Sequence, residues 1–190
     1  MIVALTGSHG TGKSSVYRSL HEQRPGYTYV SEAARYLTPI AGYETPYEWV
    51  EENGISSFET SMLSAWSVID PQTNPLIEHA GVVVADRSPV DNFAYFESLK
   101  KYADLRAQAM LGKLATHYAS LIDKYVYFPT GQVDLKPDDM RPADEFYQQH
   151  VDRNIRRGFE ILGVPEHKIH HLASDSVAER AQEVISLIES

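Results

Sequence analysis

Ile2-Val3-Ala4-Leu5 is a short apolar, β-favouring run that opens, after Thr6, into Gly7-Ser8-His9-Gly10-Thr11-Gly12-Lys13-Ser14. A helix-like stretch follows from Ser14 to Glu22. A strand, a glycine-rich turn and a helix in that order leave few folds open. The glycines let the backbone curl so that successive N–H groups point inward at phosphate oxygens. The spacing G-x-x-x-x-G-K-S then puts the Lys13 charge on β- and γ-phosphates and offers the Ser14 hydroxyl to Mg²⁺. The start of the helix adds its positive dipole end. The pattern predicts a nucleoside triphosphate bound by Gly7, Ser8, His9, Gly10, Thr11, Gly12, Lys13, Ser14 and the adjoining Ser15.

A chain of 190 residues is one domain's worth and long enough for a full hydrophobic core. No apolar stretch approaches the ~20 residues a membrane-spanning helix needs, and no signal peptide is expected, because the first strand starts at residue 2. Zero cysteines exclude disulfides and thiolate zinc sites and suit a reducing cytoplasm, the host's if the source is a virus. The net charge of −9 weighs against a nucleic-acid partner, which usually demands a basic face. A small, diffusible acceptor fits better.

Tyr27-Thr28-Tyr29-Val30 reads as a second strand, and residues 31–80 as mostly helical with breaks at Pro39, Gly42, Pro46, Gly54, Pro71 and Pro75. Gly81–Asp86 is a continuous apolar run ending in an acid, the look of a central parallel strand covered on both faces. Helices are expected over about 89–100, 103–122 and 143–162, with strands at 125–128 and 168–172. On helix 143–162 the expected apolar face is Phe146, Val151, Ile155, Phe159 and Leu162. The last helix is expected to be capped by Ser174 or Asp175, with Val177, Ala181, Val184, Ile185 and Ile188 inward. Strands alternating with helices imply an α/β parallel sheet in three layers, with ligands at the carboxyl ends of its strands. Residues 129–142, with three prolines and no periodicity, read as a polar loop.

Asp86-Arg87-Ser88 closes the 82–86 strand, so it should reach the same pocket as Lys13. Asp86 suits a metal-organising carboxylate or the group that deprotonates an attacking hydroxyl. The fork of Arg87 matches the oxyanions of an acceptor or its phosphate. Glu32 and Arg35, three apart at the end of the second strand, are candidate acceptor contacts, against the plainer reading of an exposed ion pair. The polar loop supplies Arg141, and the next helix Arg153, Arg156 and Arg157, opposite its apolar stripe. A closing arginine stabilises the charge spread over a moving phosphoryl group, so Arg141, then Arg153 and Arg157, are candidates. The eight histidines show no metal-binding spacing. Residues 43–66 are rich in aromatics (Tyr43, Tyr47, Trp49, Phe58, Trp66), mostly expected in the core, with one or two available to stack on an acceptor base.

Gly7–Ser14, Ser31-Glu32-Ala33-Ala34-Arg35, Asp86-Arg87-Ser88, and Asp138-Asp139-Met140-Arg141-Pro142 ahead of an arginine-bearing helix span most of the chain. In this order they resemble the small P-loop kinases: thymidylate kinases, deoxynucleoside kinases, and the nicotinamide riboside kinase domain of a bacterial NAD regulator. The second and fourth features look like the small AAA-labelled ATPases near that last domain. The resemblance implies a five-stranded sheet of order 2-3-1-4-5, Mg-ATP as donor, an acceptor region about 31–80 and a lid about 129–145. It also implies Asp86 as activating or metal-organising carboxylate, Arg87, Glu32 and Arg35 as acceptor contacts, and Arg141 as a lid arginine. An aspartate stands where deoxynucleoside kinases use glutamate, and residues 31–80 carry none of these families' base-reading motifs, so the acceptor's identity stays open.

The reading favoured by residues and resemblance is ATP-dependent, Mg-assisted phosphoryl transfer to a small nucleoside or nucleoside monophosphate. The second is a kinase acting on a hydroxyl of nucleic acid, such as a polynucleotide end or a hydroxymethylated base in viral DNA. The third is a regulatory ATP-binding switch without an acceptor, with Arg141 or Arg157 reaching a neighbouring subunit. A homodimer is left open.

Overall fold

Strict alternation along the strands divides the interior into two cores. The computed structural model describes residues 1–133 and 144–190. In it β1 (Ile2–Thr6) turns Ile2 and Ala4 to one face and Val3 and Leu5 to the other. β3 (Val83–Asp86) and β4 (Lys124–Tyr127) alternate in the same way, Val83 and Tyr125 opposing Val84 and Val126. A sheet covered on both faces buries nearly every side chain of its central strands, which explains the unbroken apolar runs. With β2 (Thr28–Val30) and β5 (Ile169–His171), the strands of the described residues form one parallel sheet of order β2-β3-β1-β4-β5.

The helices α1 (Lys13–Gln23) and α8 (Val177–Glu189) cover one face, where Val16, Leu20, Val184 and Ile185 meet Val3, Leu5 and Phe128. The other face carries a larger, aromatic core. It is built by α2 (Ala33–Ile40), α3 (Pro46–Asn53), α4 (Ile55–Ser64), α5 (Pro89–Leu99), α6 (Leu105–Ser120) and α7 (Glu145–Ile161). α5 and α7 come close because Gly158 has no side chain. A Cβ there would lie 3.1 Å from Val90 Cγ1.

Four expectations are corrected. Phe146 is 87 % exposed. At 100° per residue it sits about 140–180° around α7 from Val151, Ile155 and Phe159, and Gln148 and Asp152 take the buried positions instead. The cap of α8 is Ser176, whose hydroxyl and Glu179 exchange the reciprocal bonds of a capping box. Ser174 instead donates its hydroxyl to Glu183. Val177 fits the apolar stripe by angle but is the first helical residue and is exposed, the core contacts beginning one turn later at Ala181. Finally, α2 runs through Pro39 and ends at Ile40.

Register places the chemistry. Leu5 of β1 pairs with Asp86 of β3, and Val30 of β2 with Ala85. The loop after β1, Asp86-Arg87 after β3 and Ser31-Glu32 after β2 therefore emerge side by side at the carboxyl edge. Arg141 and most of the expected lid lie outside the described residues.

Candidate active site

The loop between β1 and α1 is shaped by positive-φ glycines, Gly10 at 71° and Gly12 at 87°. Gly7 has a second reason to lack a side chain, since a Cβ would lie 2.6 Å from the carbonyl oxygen of Phe128. Lys13, buried, donates to the Ser8 carbonyl at 2.5 Å and to Thr11 Oγ1 at 3.2 Å. Burial pulls its pKa down to about 7, helped by the Arg87 charge and opposed by Asp91, Asp86 and Glu32.

That shift fixes a pH dependence. Between about 7 and 10.5 the buried amine has lost a proton that an unfolded lysine keeps, so this group makes the unliganded fold more stable as pH rises through that window. Below it both states are charged and the cost of burial is present in full. A bound triphosphate restores the charge. At about pH 8.5 binding is expected to take up close to one proton, with affinity falling as pH rises. Calorimetry in two buffers of different ionisation heat checks this, and Lys13→Arg should abolish the uptake.

Across the sheet edge, Ser14 Oγ donates to Asp86 Oδ2 at 3.0 Å, while Asp86 Oδ1 is buried with no hydrogen-bond partner among the described residues. Burial pushes the Asp86 carboxyl above its ordinary range, while Arg87, Lys13 and the Ser14 hydroxyl pull it back. The Ser14 hydroxyl and the Asp86 carboxylate side by side form an oxygen donor set that suits Mg²⁺.

Arg87 has a φ of 104°, a left-handed backbone that costs a non-glycine residue about 1–3 kcal/mol. Its neighbours hold it there. The Arg87 N–H extends the ladder to Leu5 O, Nε donates to Glu32 Oε1 at 3.0 Å, and Nη1 donates to Gly7 O at 3.0 Å. Burial alone would lower its pKa, but Glu32, Tyr95, Asp91 and Asp86 hold it well above the usual guanidinium value. Glu32 is itself buried and bridges two arginines, its other oxygen accepting from Arg35 Nε at 3.0 Å. It is more than an exposed ion pair: it aims Arg87. Arg153 and Arg157 are exposed on α7 and do not line the pocket described below. Arg156 is tied to Asp152 and the Tyr127 hydroxyl.

Some residues of the site escaped the sequence reading. Asp91 accepts from Gly7 N at 3.0 Å and from Ser88, and so ties the phosphate loop to the start of α5. Its signal was present as Ser88-Pro89-Val90-Asp91, a capping box with proline at the first helical position. Gln148 donates to His9 O at 2.7 Å, and the Tyr95 hydroxyl accepts from His9 N. Arg180, 1 % exposed on α8, donates to Thr11 O at 3.0 Å, Ser174 O at 2.8 Å and Gln132 Oε1 at 2.8 Å. A carbonyl drawn outward turns the N–H of the same peptide, that of Gly12, the opposite way. Arg180→Ala is expected to weaken triphosphate binding about tenfold or more, because a charged bond orienting the loop is lost. Titration calorimetry with a non-hydrolysable analogue reads that change.

Beside Asp86 and Arg87 opens a largely apolar pocket between α2, α3, α4 and α5. Tyr36, Tyr47, Phe58 and Trp66 supply aromatic walls. Trp49 lies behind them in the core, stacked on Tyr43 and edge-on to Phe58. The pocket draws its lining from residues 30–66, from 86–99 and from Tyr147.

No helix among the described residues is long and apolar enough to cross a membrane. A search of curated protein sequences finds no match. Among solved structures, deoxyadenosine kinase from M. mycoides with bound dCTP is similar at 14 % identity and TM-score 0.68, over 100 % of this chain and 99 % of that one. Thymidylate kinase from Candida albicans follows at 12 % and 0.63, over 99 % and 90 %. The NadR protein in complex with NR gives 14 % and 0.66 over 99 % of this chain, which spans only 50 % of that protein. These likenesses establish the fold. The AAA domain family model matches residues 2–180. The chain thus belongs to the AAA domain family and is built on the α/β fold that these P-loop kinases share.

Proposed function

We propose that the protein is an ATP-dependent kinase that phosphorylates a small nucleoside or nucleoside monophosphate. One observation carries the reading. Asp86 and Arg87 stand between the phosphate loop and an apolar, aromatic-walled pocket, at the strand end that register sets beside Leu5. A triphosphate cradled by residues 7–15 presents its last phosphorus to a hydroxyl entering from that pocket. The acceptor oxygen bonds to the γ-phosphorus as the bond to the β–γ bridging oxygen breaks, and its proton passes to Asp86 Oδ1. Lys13 carries the charge that grows on the departing β-phosphate, and Arg87 orients the acceptor or its phosphate. Ser14 and Asp86 Oδ2 would hold Mg²⁺, which when bound neutralises charge on the β- and γ-oxygens. Arg35 and Arg141 are assigned to the acceptor and the lid, with Arg153 and Arg157 next.

A pocket walled by apolar side chains on a chain of net charge −9 favours a small acceptor over a polymer. The absence of cysteine and the need for ATP fit a cytoplasmic enzyme. A coupled assay across nucleosides and monophosphates tests the reading. Turnover above water hydrolysis with at least one is expected, and none with any of them sinks it.

A further inference from the structure

Besides its strand-end residues, the largely apolar pocket carries a polar strip formed by Trp66, Asn92 and Glu59. Trp66 Nε1 donates to Asn92 Oδ1 at 2.9 Å. An indole N–H only donates, so this bond decides which way round the Asn92 amide stands. Its nitrogen then faces α4 and donates to Glu59 Oε2 at 3.4 Å. Glu59 is 2 % exposed and lines the pocket among Phe58, Met62 and Ala65. Trp66, largely buried, lines the same pocket beside the strip.

What this strip offers a ligand is constrained by its chemistry. In its ionised form Glu59 accepts and cannot donate. The Asn92 nitrogen, its oxygen already used, can only donate. A carboxylate in an apolar wall attracts N–H groups and repels carbonyl oxygens, and a mismatched pair left buried costs the full desolvation of its groups. The flanking aromatic side chains select a planar ring.

We propose that the pocket selects an acceptor whose ring carries an exocyclic amino group beside a ring-nitrogen acceptor, the amino group donating to Glu59 and the ring nitrogen accepting from Asn92. Amino-bearing pyrimidines and purines present that edge. Their oxo counterparts reverse it, placing a carbonyl oxygen against Glu59 and an N–H against the Asn92 donor. The inference rests on the kinase reading for the identity of the pocket as the acceptor site, yet its readout is binding, not turnover.

The test uses two pairs of nucleosides that exchange amino for oxo, cytidine against uridine and adenosine against inosine. Their affinities are measured by calorimetry on the full chain with a non-hydrolysable triphosphate analogue present. The amino member of at least one pair is expected to bind tenfold or more tighter, on the order of what one well-placed buried hydrogen bond contributes. Glu59→Gln, isosteric but able to donate, should bring that ratio close to one while keeping affinity for the triphosphate analogue. Equal or tighter binding of the oxo member in both pairs overturns the proposal, as does no binding by any of the four. A ratio that Glu59→Gln leaves unchanged also overturns it. If the variant fails to fold, the wild-type ratios alone decide. Phosphorylation of uridine or inosine in preference to the amino compounds would leave the kinase reading standing and remove this one. A clear amino preference with no turnover on any acceptor would do the reverse.

Discussion

Lys13→Ala is expected to lower kcat by about three orders of magnitude without lowering the melting temperature of the unliganded protein. The two halves of that expectation have separate causes. Breaking the β–γ bond leaves charge on the departing phosphate, and a fixed cation in a water-poor site is worth far more than one in bulk water. Loss of a single such stabiliser typically costs about 10²–10³ in rate. Stability runs the other way. A lysine whose pKa burial has pulled down to about 7 sits in the fold at a cost, because the charged form is the one penalised. Alanine removes that cost along with two hydrogen bonds, to Ser8 O and Thr11 Oγ1. The two acceptors stay engaged with each other within the loop, because Thr11 Oγ1 still donates to Ser8 O. Steady-state kinetics and thermal melts on the same preparation check both halves. A rate within tenfold of the parent would show that the loop does not hold the transferring phosphates. A large drop in melting temperature would show that Lys13 serves mainly as a structural latch.

Much of the sheet and half of the site were legible because they follow from local pattern. The run 2–5 before a G-x-x-x-x-G-K-S names a strand, a turn and a helix within fourteen residues. The apolar run ending at Asp86 reads as a covered central strand, and parallel pairing brings its end beside the loop. The illegible parts depend on contacts between distant residues. Arg180 reaches Thr11 across 169 positions, and Gln148 reaches His9 across 139. No spacing rule connects such pairs, and both residues read as the polar side of an amphipathic helix until the layers are stacked. Phe146 erred in the opposite direction. A large apolar residue near an apolar stripe was counted into it, although five positions before Val151 is the wrong angle for a helix. Glu32 was legible as a candidate acceptor contact but not as the residue that holds Arg87. Three-residue spacing to Arg35 suggests a surface pair, and only the neighbouring strand end shows a second guanidinium on its other oxygen.

Asp86→Asn is expected to reduce kcat by about 10²–10⁴ while changing the affinity for triphosphate in the absence of metal by little. Asparagine preserves the volume and keeps an oxygen that can accept from the Ser14 hydroxyl, so the local frame should hold. What disappears is the second carboxylate oxygen, buried and without a partner among the described residues, on which the proposed acceptance of the acceptor's proton depends. Burial already lifts this carboxyl above its ordinary pKa range, so its ionised form is the strained one in the unliganded fold. Stability tied to this group falls as pH rises through that raised pKa, and the neutral asparagine should melt no lower than the parent near neutrality. As the proposed proton acceptor, Asp86 also gives the parent an acid limb, with activity lost as pH drops and it takes up the proton it must be free to accept. In the variant that limb should vanish along with most of the rate. Pre-steady-state phosphoryl transfer, a pH–rate profile and metal-free calorimetry together separate the outcomes. A normal kcat with collapsed nucleotide affinity would confine Asp86 to holding the donor. Loss of rate with the acid limb intact would move the proton to another group at the same strand edge.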